Sequence, residues 1–374
     1  MNFLRSVKSI FAVVLALCLI FACGCGGSSD DTSSDASTTA SNGSTVASTE
    51  SDTSSKDTVS RLTDDQIAMA QHLGKWSDKL TEVQTAVHGK FSFLVETDPH
   101  HYDLTAAEVG KNAAALSNFV ELDFIANLGD LIRGYSQDEI DNDANMRACM
   151  SDIFNRFTTR AKCPVFMTVG NHDTNIMWCQ KWADHTMQIM PEDHINMVYA
   201  PLKEYNGDKM VTGGNGSYYY MDFPDDKIRV VMLNQADDVY DGTKYTSCFK
   251  ISDEQVEWFK TEALNTEYSV LVMSHVPLDA NFTLAATGKT TNGVSNSDAI
   301  RNAVEEFISG GGDFIAYLNG HEHEQIEYID ENGRLYMSFK NGGKNGEIVT
   351  IDTETRTIST IGLGNAKSRE CRYN

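Results

Sequence analysis

Side chains that can bind metal ions follow five short apolar segments of the chain. The segments are 91–95, 124–128, 165–169, 270–273 and 314–318, and after them come Asp98 and His100, Asp130, Asn171 and His172, His275, and His321 and His323. Carboxylate, amide and imidazole groups together suit Mn, Fe, Zn or Ni and do not choose among these metals. The pattern predicts a metal site built from residues that are far apart in the sequence.

The apolar segments are predicted to be buried strands whose following turns meet. In an open α/β sheet, ligands bind at the carboxyl ends of the strands, so scattered side chains can converge there. Residues two apart in an extended segment point the same way. This periodicity predicts that Asp98 and His100 share one ion and that His321 and His323 face one site.

Three of these turns contain a glycine directly before a polar residue, at Gly129, Gly170 and Gly320. Glycine permits tight turns and lets the backbone approach a metal closely. Asn171 and His172 are adjacent, so their side chains are expected to diverge. One of them can then bind metal while the other faces substrate.

The remaining chain alternates strand-like and helix-like segments, which is typical of βαβ units. A capping box at 63–66 predicts an amphipathic helix that runs to about His88. Further helices are predicted from Thr105, over 140–157, after a cap at Ser252 and from Ser297, with an antiparallel strand pair at 217–222 and 228–233. Because the C-terminal part is rich in short strands, the predicted fold class is mixed α/β.

The N-terminal segment differs in composition from the rest of the chain. Arg5 and Lys8 precede an apolar run shorter than the roughly 20 residues that span a bilayer, so residues 1–22 are predicted to be a signal peptide. Residues 20–23 resemble a bacterial lipobox, which makes Cys23 the predicted lipidation site. Cys25, or a signal peptide without lipid, is the alternative.

Two further segments come after the predicted signal peptide. Residues 23–60 are almost all Ser, Thr, Asp, Gly and Ala, and are predicted to be a disordered, lipid-anchored linker. Residues 61–374 are predicted to form one domain, held at the outer face of the cytoplasmic membrane or in the cell envelope.

Charge and cysteine content limit the partners of this chain. The formal net charge is −23, so no basic surplus is available to displace counterions, and binding to a nucleic-acid duplex is not expected. Beyond the N-terminal segment five cysteines remain, none with CxxC spacing, which argues against a structural zinc ribbon. In an oxidising compartment, one or two disulfides are possible among them.

The order and spacing of the metal-binding residues resemble the calcineurin-like metallophosphoesterase family over residues 91–324. The motifs that carry the resemblance are Asp-X-His at 98–100, Gly-Asp at 129–130, Gly-Asn-His-Asp at 170–173, the lone His275, and Gly-His-X-His at 320–323. The resemblance implies a four-layer α/β/β/α sandwich of two mixed sheets flanked by helices. It also implies two divalent or trivalent metal ions.

The same resemblance assigns the ligands. The first ion would take Asp98, His100 and His323, and the second would take Asn171, His275 and His321. Asp130 would bridge both ions, together with a water or hydroxide.

The reaction implied is hydrolysis of small phosphate esters. A bound metal can lower the pKa of water to about 7, and a pair of ions roughly 3.5 to 4 Å apart clamps both oxygens of an in-line displacement. His172 is then free to protonate the leaving group beside Asn171. Nucleotides, phosphosugars, phospholipid headgroups and cyclic nucleotides are all candidate substrates. The alternative function is a surface binding module that kept the metal site without turnover.

Two positions depart from the family pattern. Many relatives carry an Asp three residues after the bridging Asp, where it orients the catalytic His, but here this position is Arg133. The orientation of His172 must come from elsewhere, and Arg133 either contacts phosphate through its planar guanidinium or is a solvated charge. Tyr135 lies two residues too late to be the metal-binding Tyr of purple acid phosphatases.

Several other residues have two interpretations. His101 adjoins a predicted ligand and lies either at the mouth of the cleft or in the core. The segment 279–296 is either a loop that sets substrate choice or a solvated insertion. Trp178 and Trp182 either stack on a nucleobase or pack in the core. Gln325 stands where an HExxH metalloprotease motif needs His, which excludes that motif.

Overall fold

Strands of the chain form two mixed sheets in the computed structural model, which describes residues 62–106, 108–134, 142–175, 188–243, 245–288 and 293–374. The first sheet has the order β13-β12-β11-β1-β2-β3. Its strands are β1 (Phe91–Glu96), β2 (Phe124–Asn127), β3 (Val165–Met167), β11 (Gly346–Asp352), β12 (Thr357–Leu363) and β13 (Arg369–Arg372). Strands β1, β2 and β3 are parallel to one another, while β11, β12 and β13 pair antiparallel.

The second sheet has seven strands in the order β4-β5-β6-β7-β8-β10-β9. They are β4 (Val211–Gly213), β5 (Tyr218–Phe223), β6 (Ile228–Met232), β7 (Ser269–Ser274), β8 (Phe314–Asn319), β9 (Ile326–Ile329) and β10 (Leu335–Ser338). Strands β6, β7, β8 and β10 are parallel, and the outer strands pair antiparallel. The predicted pair at 217–222 and 228–233 is the hairpin of β5 and β6.

Nine α-helices lie among the described residues. They are α1 (Asp64–Met69), α2 (Leu80–Val87), α3 (Lys111–Leu116), α4 (Asp143–Thr158), α5 (Pro191–His194), α6 (Ala200–Asn206), α7 (Asp253–Trp258), α8 (Ala280–Thr287) and α9 (Ser297–Ser309). Ser252 caps α7 as predicted, since its hydroxyl accepts from Gln255 N at 3.0 Å. None of these helices is long and apolar enough to cross a membrane.

Side-chain alternation along the second sheet builds two hydrophobic layers. Val230 and Leu271 point into the core shared with the first sheet, whereas Val231 and Val272 point into a second core together with Ile300 of α9. On the far side of the molecule, α2 packs against β11 of the first sheet. Two sheets between helices form the α/β/β/α sandwich, which confirms the predicted fold.

Two predicted helices differ from the structure. Instead of one helix to His88, 3-10 turns at Ala70–His72 and Gly74–Lys79 separate α1 from α2. The break lies at Gly74, which has a φ of 53° and precedes the buried Trp76.

The helix predicted from Thr105 begins only at Lys111. Asp103 Oδ1 accepts from Thr105 N at 2.8 Å and holds that segment in a turn instead.

From Asp65 onward the chain is one compact unit, and the preceding unit lies almost wholly outside the described residues. The signal peptide, Cys23 and the linker at 23–60 therefore stay predictions. No disulfide joins the described cysteines Cys149, Cys163, Cys248 and Cys371 to one another.

Candidate metal centre

The turns after β1, β2, β3, β7 and β8 meet at one edge of the two sheets. Backbone hydrogen bonds join them: Asp98 N donates to Gly129 O at 3.0 Å, and Gly320 N donates to His275 O at 2.9 Å. These bonds bring together the side chains that follow the carboxyl ends of parallel strands, where an α/β sheet places its ligands.

The first cluster consists of Asp98, His100, Asp130 and His323. His323 Nε2 lies 3.1 Å from Asp98 Oδ1 and 3.1 Å from His100 Nε2. Asp130 Oδ2 is 4.0 Å from His100 Nε2. The side chain of Asp98 is fully buried and that of His323 is 42% exposed, so the cluster opens to solvent on the His323 side.

The second cluster consists of Asp130, His275 and His321. Asn171 completes it, because its Oδ1 lies 3.2 Å from His275 Nε2 and 3.1 Å from His321 Nδ1. Asp130 Oδ2 lies 3.3 Å from His275 Nε2. One carboxylate is thus shared by both clusters, and the structure brings all seven predicted metal ligands to one place.

The donor set fits two metal ions. Ligand atoms about 2.1 Å from a common ion and at right angles to each other are about 3 Å apart, close to the observed spacing of the ring nitrogens and oxygens. Asp98 Oδ1 is buried and receives no well-aligned hydrogen bond, although His323 Nε2 lies beside it. A cation between them would satisfy this oxygen.

Backbone conformation at the site is unusual. Of the ten non-glycine residues with positive φ in the described chain, five are predicted ligands: Asp98, His100, Asp130, His321 and His323. Residues other than glycine rarely adopt a positive φ, and residues with this strained backbone conformation cluster at functional sites. The sequence predicted that Asp98 and His100, and likewise His321 and His323, point the same way because their segments are extended. That reason is wrong, since all four residues have a positive φ. Left-handed turns orient them.

Two glycines leave no space for a side chain beside the ligands. A Cβ on Gly170 would lie 2.6 Å from His275 Nε2, and a Cβ on Gly320 would lie 2.7 Å from Asp98 Oδ2. Both distances are shorter than real Cβ contacts, so the close approach predicted for these turns does require glycine.

The clusters perturb each other's protonation. Burial opposes the charge of Asp130, but the neighbouring His275 and His172 hold its pKa well below the usual value. Burial lowers the pKa of His100 and of His321 to about 4, so both rings are neutral at pH 7, as metal ligands must be. His275 is opposite: burial opposes its charge, yet Asp130 raises its pKa to about 9.

Hydrogen bonds behind the clusters fix two imidazole rings. His275 Nδ1 donates to Leu128 O at 2.8 Å, which leaves Nε2 for the second cluster. His172 Nδ1 donates to the backbone carbonyl of Arg133, and its Nε2 lies 3.9 Å from Asp130 Oδ2. Arg133, which stands where the family resemblance implies an Asp, therefore orients His172 through its main chain.

Asp173 holds the turns together, a role that the sequence did not reveal. Its Oδ2 accepts from Gly170 N at 2.7 Å, and its Oδ1 accepts from Ile132 N at 3.0 Å. Burial and the nearby Asp130 raise its pKa to about 7. The only signal was its place at the end of the Gly-Asn-His-Asp motif.

Arg133, His101 and most of the segment 279–296 are among the described residues. The guanidinium of Arg133 lies over the ring of Tyr102, 4.9 Å from its centroid. His101 is buried and so belongs to the core rather than to the mouth of the cleft. In the segment 279–296, Thr283 of α8 donates to Glu322, between His321 and His323. Trp178 and Trp182 lie outside the described residues.

The sandwich fold and the paired clusters define a metal-dependent hydrolase of phosphate esters. The profile of the calcineurin-like phosphoesterase family matches residues 91–325, and the chain belongs to this family.

The chain is similar to solved structures, and the first one described here shares its fold. A dimetal phosphatase from Danio rerio has a TM-score of 0.54 at 12% identity, covering 76% of this chain and 99% of that one. A 5′-nucleotidase from Candida albicans has a TM-score of 0.41 at 16% identity, covering 70% of this chain and 47% of that one. No curated protein sequence matches the chain.

Proposed function

We propose that this protein hydrolyses phosphate esters of small molecules at a dinuclear metal centre bridged by Asp130. The observation that carries the proposal is the shared carboxylate. Asp130 Oδ2 lies 3.3 Å from His275 Nε2 in one cluster and 4.0 Å from His100 Nε2 in the other. Its low pKa keeps it ionised and able to face two cations at once.

Each cluster would hold one ion. Asp98, His100 and His323 would bind the first, whereas Asn171, His275 and His321 would bind the second. When bound, the two ions would supply a hydroxide nucleophile at neutral pH and would neutralise charge on the phosphoryl oxygens. The exposed side of the first cluster, at His323, is where substrate approaches.

His172 is the proposed proton donor to the leaving group. Its Nδ1 is engaged by the Arg133 carbonyl, so Nε2 is the nitrogen that faces the centre and delivers the proton. Asn171 and His172 contact the phosphate, and Arg133 is a further candidate contact through its guanidinium.

Metal removal tests the proposal. The full chain, stripped with chelator, should hydrolyse no phosphate ester, and reloading with Mn, Fe, Zn or Ni should restore turnover on part of a panel of nucleotides, phosphosugars, phospholipid headgroups and cyclic nucleotides. Metal analysis should give two ions per active chain. A chain that binds two ions and turns over nothing on the panel would instead be the surface binding module.

We further propose that Cys23 carries a lipid and holds the enzyme outside the cytoplasmic membrane. The lipobox-like residues 20–23 support this assignment. Cys23→Ser should move the protein from the membrane to the soluble fraction after cell lysis, whereas Cys25→Ser should not. The reverse result would place the lipid on Cys25.

A further inference from the structure

His101 is buried beside the metal centre but belongs to neither ligand cluster. Its Nε2 lies 2.8 Å from Asp152 Oδ2 on α4. Because an ionised carboxylate only accepts hydrogen bonds, Nε2 carries the proton and donates it. The same Oδ2 accepts from Arg156 Nε at 2.5 Å. One carboxylate oxygen of α4 therefore holds both the histidine and the arginine.

Arg156 ties the segment that follows His101 to the same helix. Its Nη2 donates to Leu104 O at 2.9 Å, and its Nη1 donates to Ala106 O. Arg156 is almost fully buried, so solvent screens these contacts little. The loop after the first two ligands is thus fixed to α4 by Asp152 and Arg156 together.

The main chain of His101 is in turn bonded to the turn after β2. His101 N donates to Leu131 O at 2.9 Å, and Arg133 N donates to His101 O at 3.2 Å. These two bonds form a short parallel bridge between His101 and Ile132. The position of the Arg133 main chain therefore depends on the position of His101.

His172 ends this series of contacts, since its Nδ1 donates to the Arg133 carbonyl. A carboxylate on a side chain could follow a displaced ring by rotating. A carbonyl oxygen moves only with its backbone, so the orientation of the His172 ring depends on the position of the turn that contains Arg133.

We propose that Asp152 is a positioning residue for His172, acting through His101 and the main chain of Arg133. The inference rests on the proposed role of His172 as proton donor. A misplacement of about 1 Å can cost a reaction about 100-fold, so loosening this connection should lower the rate without touching a metal ligand.

The test compares Asp152→Ala with a matched control, Asp222→Ala, in the full chain loaded with Zn²⁺. Asp222 also pairs with a buried arginine, Arg229, and the two pairs have nearly the same exposure: 4% and 31% for Arg156 and Asp152, 7% and 31% for Arg229 and Asp222. Asp222 lies near the end of β5, paired with Arg229 near the start of β6, and so at the end of the sheet away from the metal centre. Lost stability should be similar in the two variants.

The first readout is independent of turnover. In protein labelled with ¹⁵N-histidine, the Nδ1 proton of His172 is identified as the ring signal absent from His172→Ala. Its exchange with water should accelerate in Asp152→Ala and stay unchanged in Asp222→Ala. Asp152→Asn, whose amide oxygen can take the place of Oδ2, should restore most of the protection.

The second readout is leaving-group dependence. The leaving group of nitrophenyl phosphate is a stabilised phenolate that needs little protonation. The leaving group of glycerol phosphate is an alkoxide, which must be protonated as it departs. Asp152→Ala should lose about 10-fold to 100-fold in kcat/KM on glycerol phosphate and several-fold less on nitrophenyl phosphate, with two ions still bound. His172→Ala should show the same selectivity to a greater extent.

The outcomes separate this inference from the function on which it rests. An unchanged Nδ1 signal and an unchanged ratio between the two esters in Asp152→Ala overturn the positioning role. If wild type hydrolyses neither of these esters and nothing on the panel of phosphate esters, the proposed function fails, and the Nδ1 signal alone then decides whether Asp152 positions the ring. Should Asp152→Ala not fold, Asp152→Glu keeps the charge beside Arg156 while displacing the oxygen, and the same two readouts apply.

Discussion

Asp130 is the residue on which the proposed two-ion site depends, because its carboxylate faces histidines of both clusters. It is buried, and its charge is stabilised by His275 and His172 rather than by solvent. The backbone N of His172 also donates to Asp130 Oδ1 at 2.8 Å. The same side chain therefore connects the proposed ion site to the turn that carries His172, the proposed proton donor.

Asp130→Asn should reduce the metal content from two ions per chain to one and lower turnover by more than the 10-fold to 100-fold effect that is typical of outer-shell partners. The amide is nearly the same size, so the fold should persist, but it supplies no negative charge to share between two cations. Plasma mass spectrometry of the purified variant gives the ion count. Asp222→Asn is the control, and a variant that keeps two ions and near-normal turnover excludes Asp130 as the bridge.

At the scale of elements, the strand ends determine where the predicted ligands lie, and the geometry of the following turns determines how their side chains are oriented. Each contributing strand is buried along its length, apart from the first residue of β7, and the chain must reverse its path after the strand to expose a polar side chain. Glycine within the turn permits this reversal where a neighbouring turn passes within contact distance. The packing of the turns against one another thus determines how far apart the ligand atoms lie.

Gly170→Ala tests this packing. The added Cβ would lie 2.6 Å from His275 Nε2 and 2.7 Å from Asp130 N, so the turn must shift at a cost of about 1 to 3 kcal/mol. We expect a folded protein with weaker metal binding, measured as a higher metal concentration for half-maximal activity. Gly293→Ala is the control, since only Ala280 Cβ lies nearby, at 3.8 Å. Equal metal dependence in both variants would contradict the tight packing inferred for residue 170.

The strands and the sites that follow them could be predicted because buried parallel strands read as apolar runs and polar residues after them stand out. The break at Gly74 could not, since it depends on Trp76 packing under the C-terminal part of the chain, where its Nε1 donates to Lys344 O. Nor could the left-handed turns at Asp98 and His321, because the N–H of Asp98 donates to Gly129 O and the N–H of His321 donates to Asp98 Oδ2, both in distant segments. The contact between His101 and Asp152 spans 51 positions, and no local pattern encodes such a pairing.

At the scale of the whole molecule, charge opposes the proposed reaction. A chain with a formal net charge of −23 repels phosphate esters at long range. The attraction must therefore be local, and in the proposed site the two cations would be its main source, with Arg133 as a further candidate. The buried hydrogen bonds behind the turns must keep this arrangement rigid. One of them involves a titratable side chain, His194.

The stability of the whole domain should depend on His194, which is fully buried on α5 and whose Nε2 donates to Asp173 O at 2.9 Å. Burial lowers its pKa to about 4, whereas in the unfolded chain the ordinary value is about 6.5. Between these values the unfolded state binds a proton that the native state does not, so stability is complete above about pH 6.5 and falls as the pH drops toward 4.

For a single histidine the loss between pH 6.5 and pH 5 is about 2 kcal/mol. His194→Gln keeps a donor for the Asp173 carbonyl but cannot titrate, so its free energy of unfolding should fall less steeply over this range. Urea unfolding in excess chelator measures the slope, because metal release then contributes nothing. His88→Gln, at an exposed position, should follow wild type, and a His194→Gln curve parallel to wild type would show that His194 is not the titrating group.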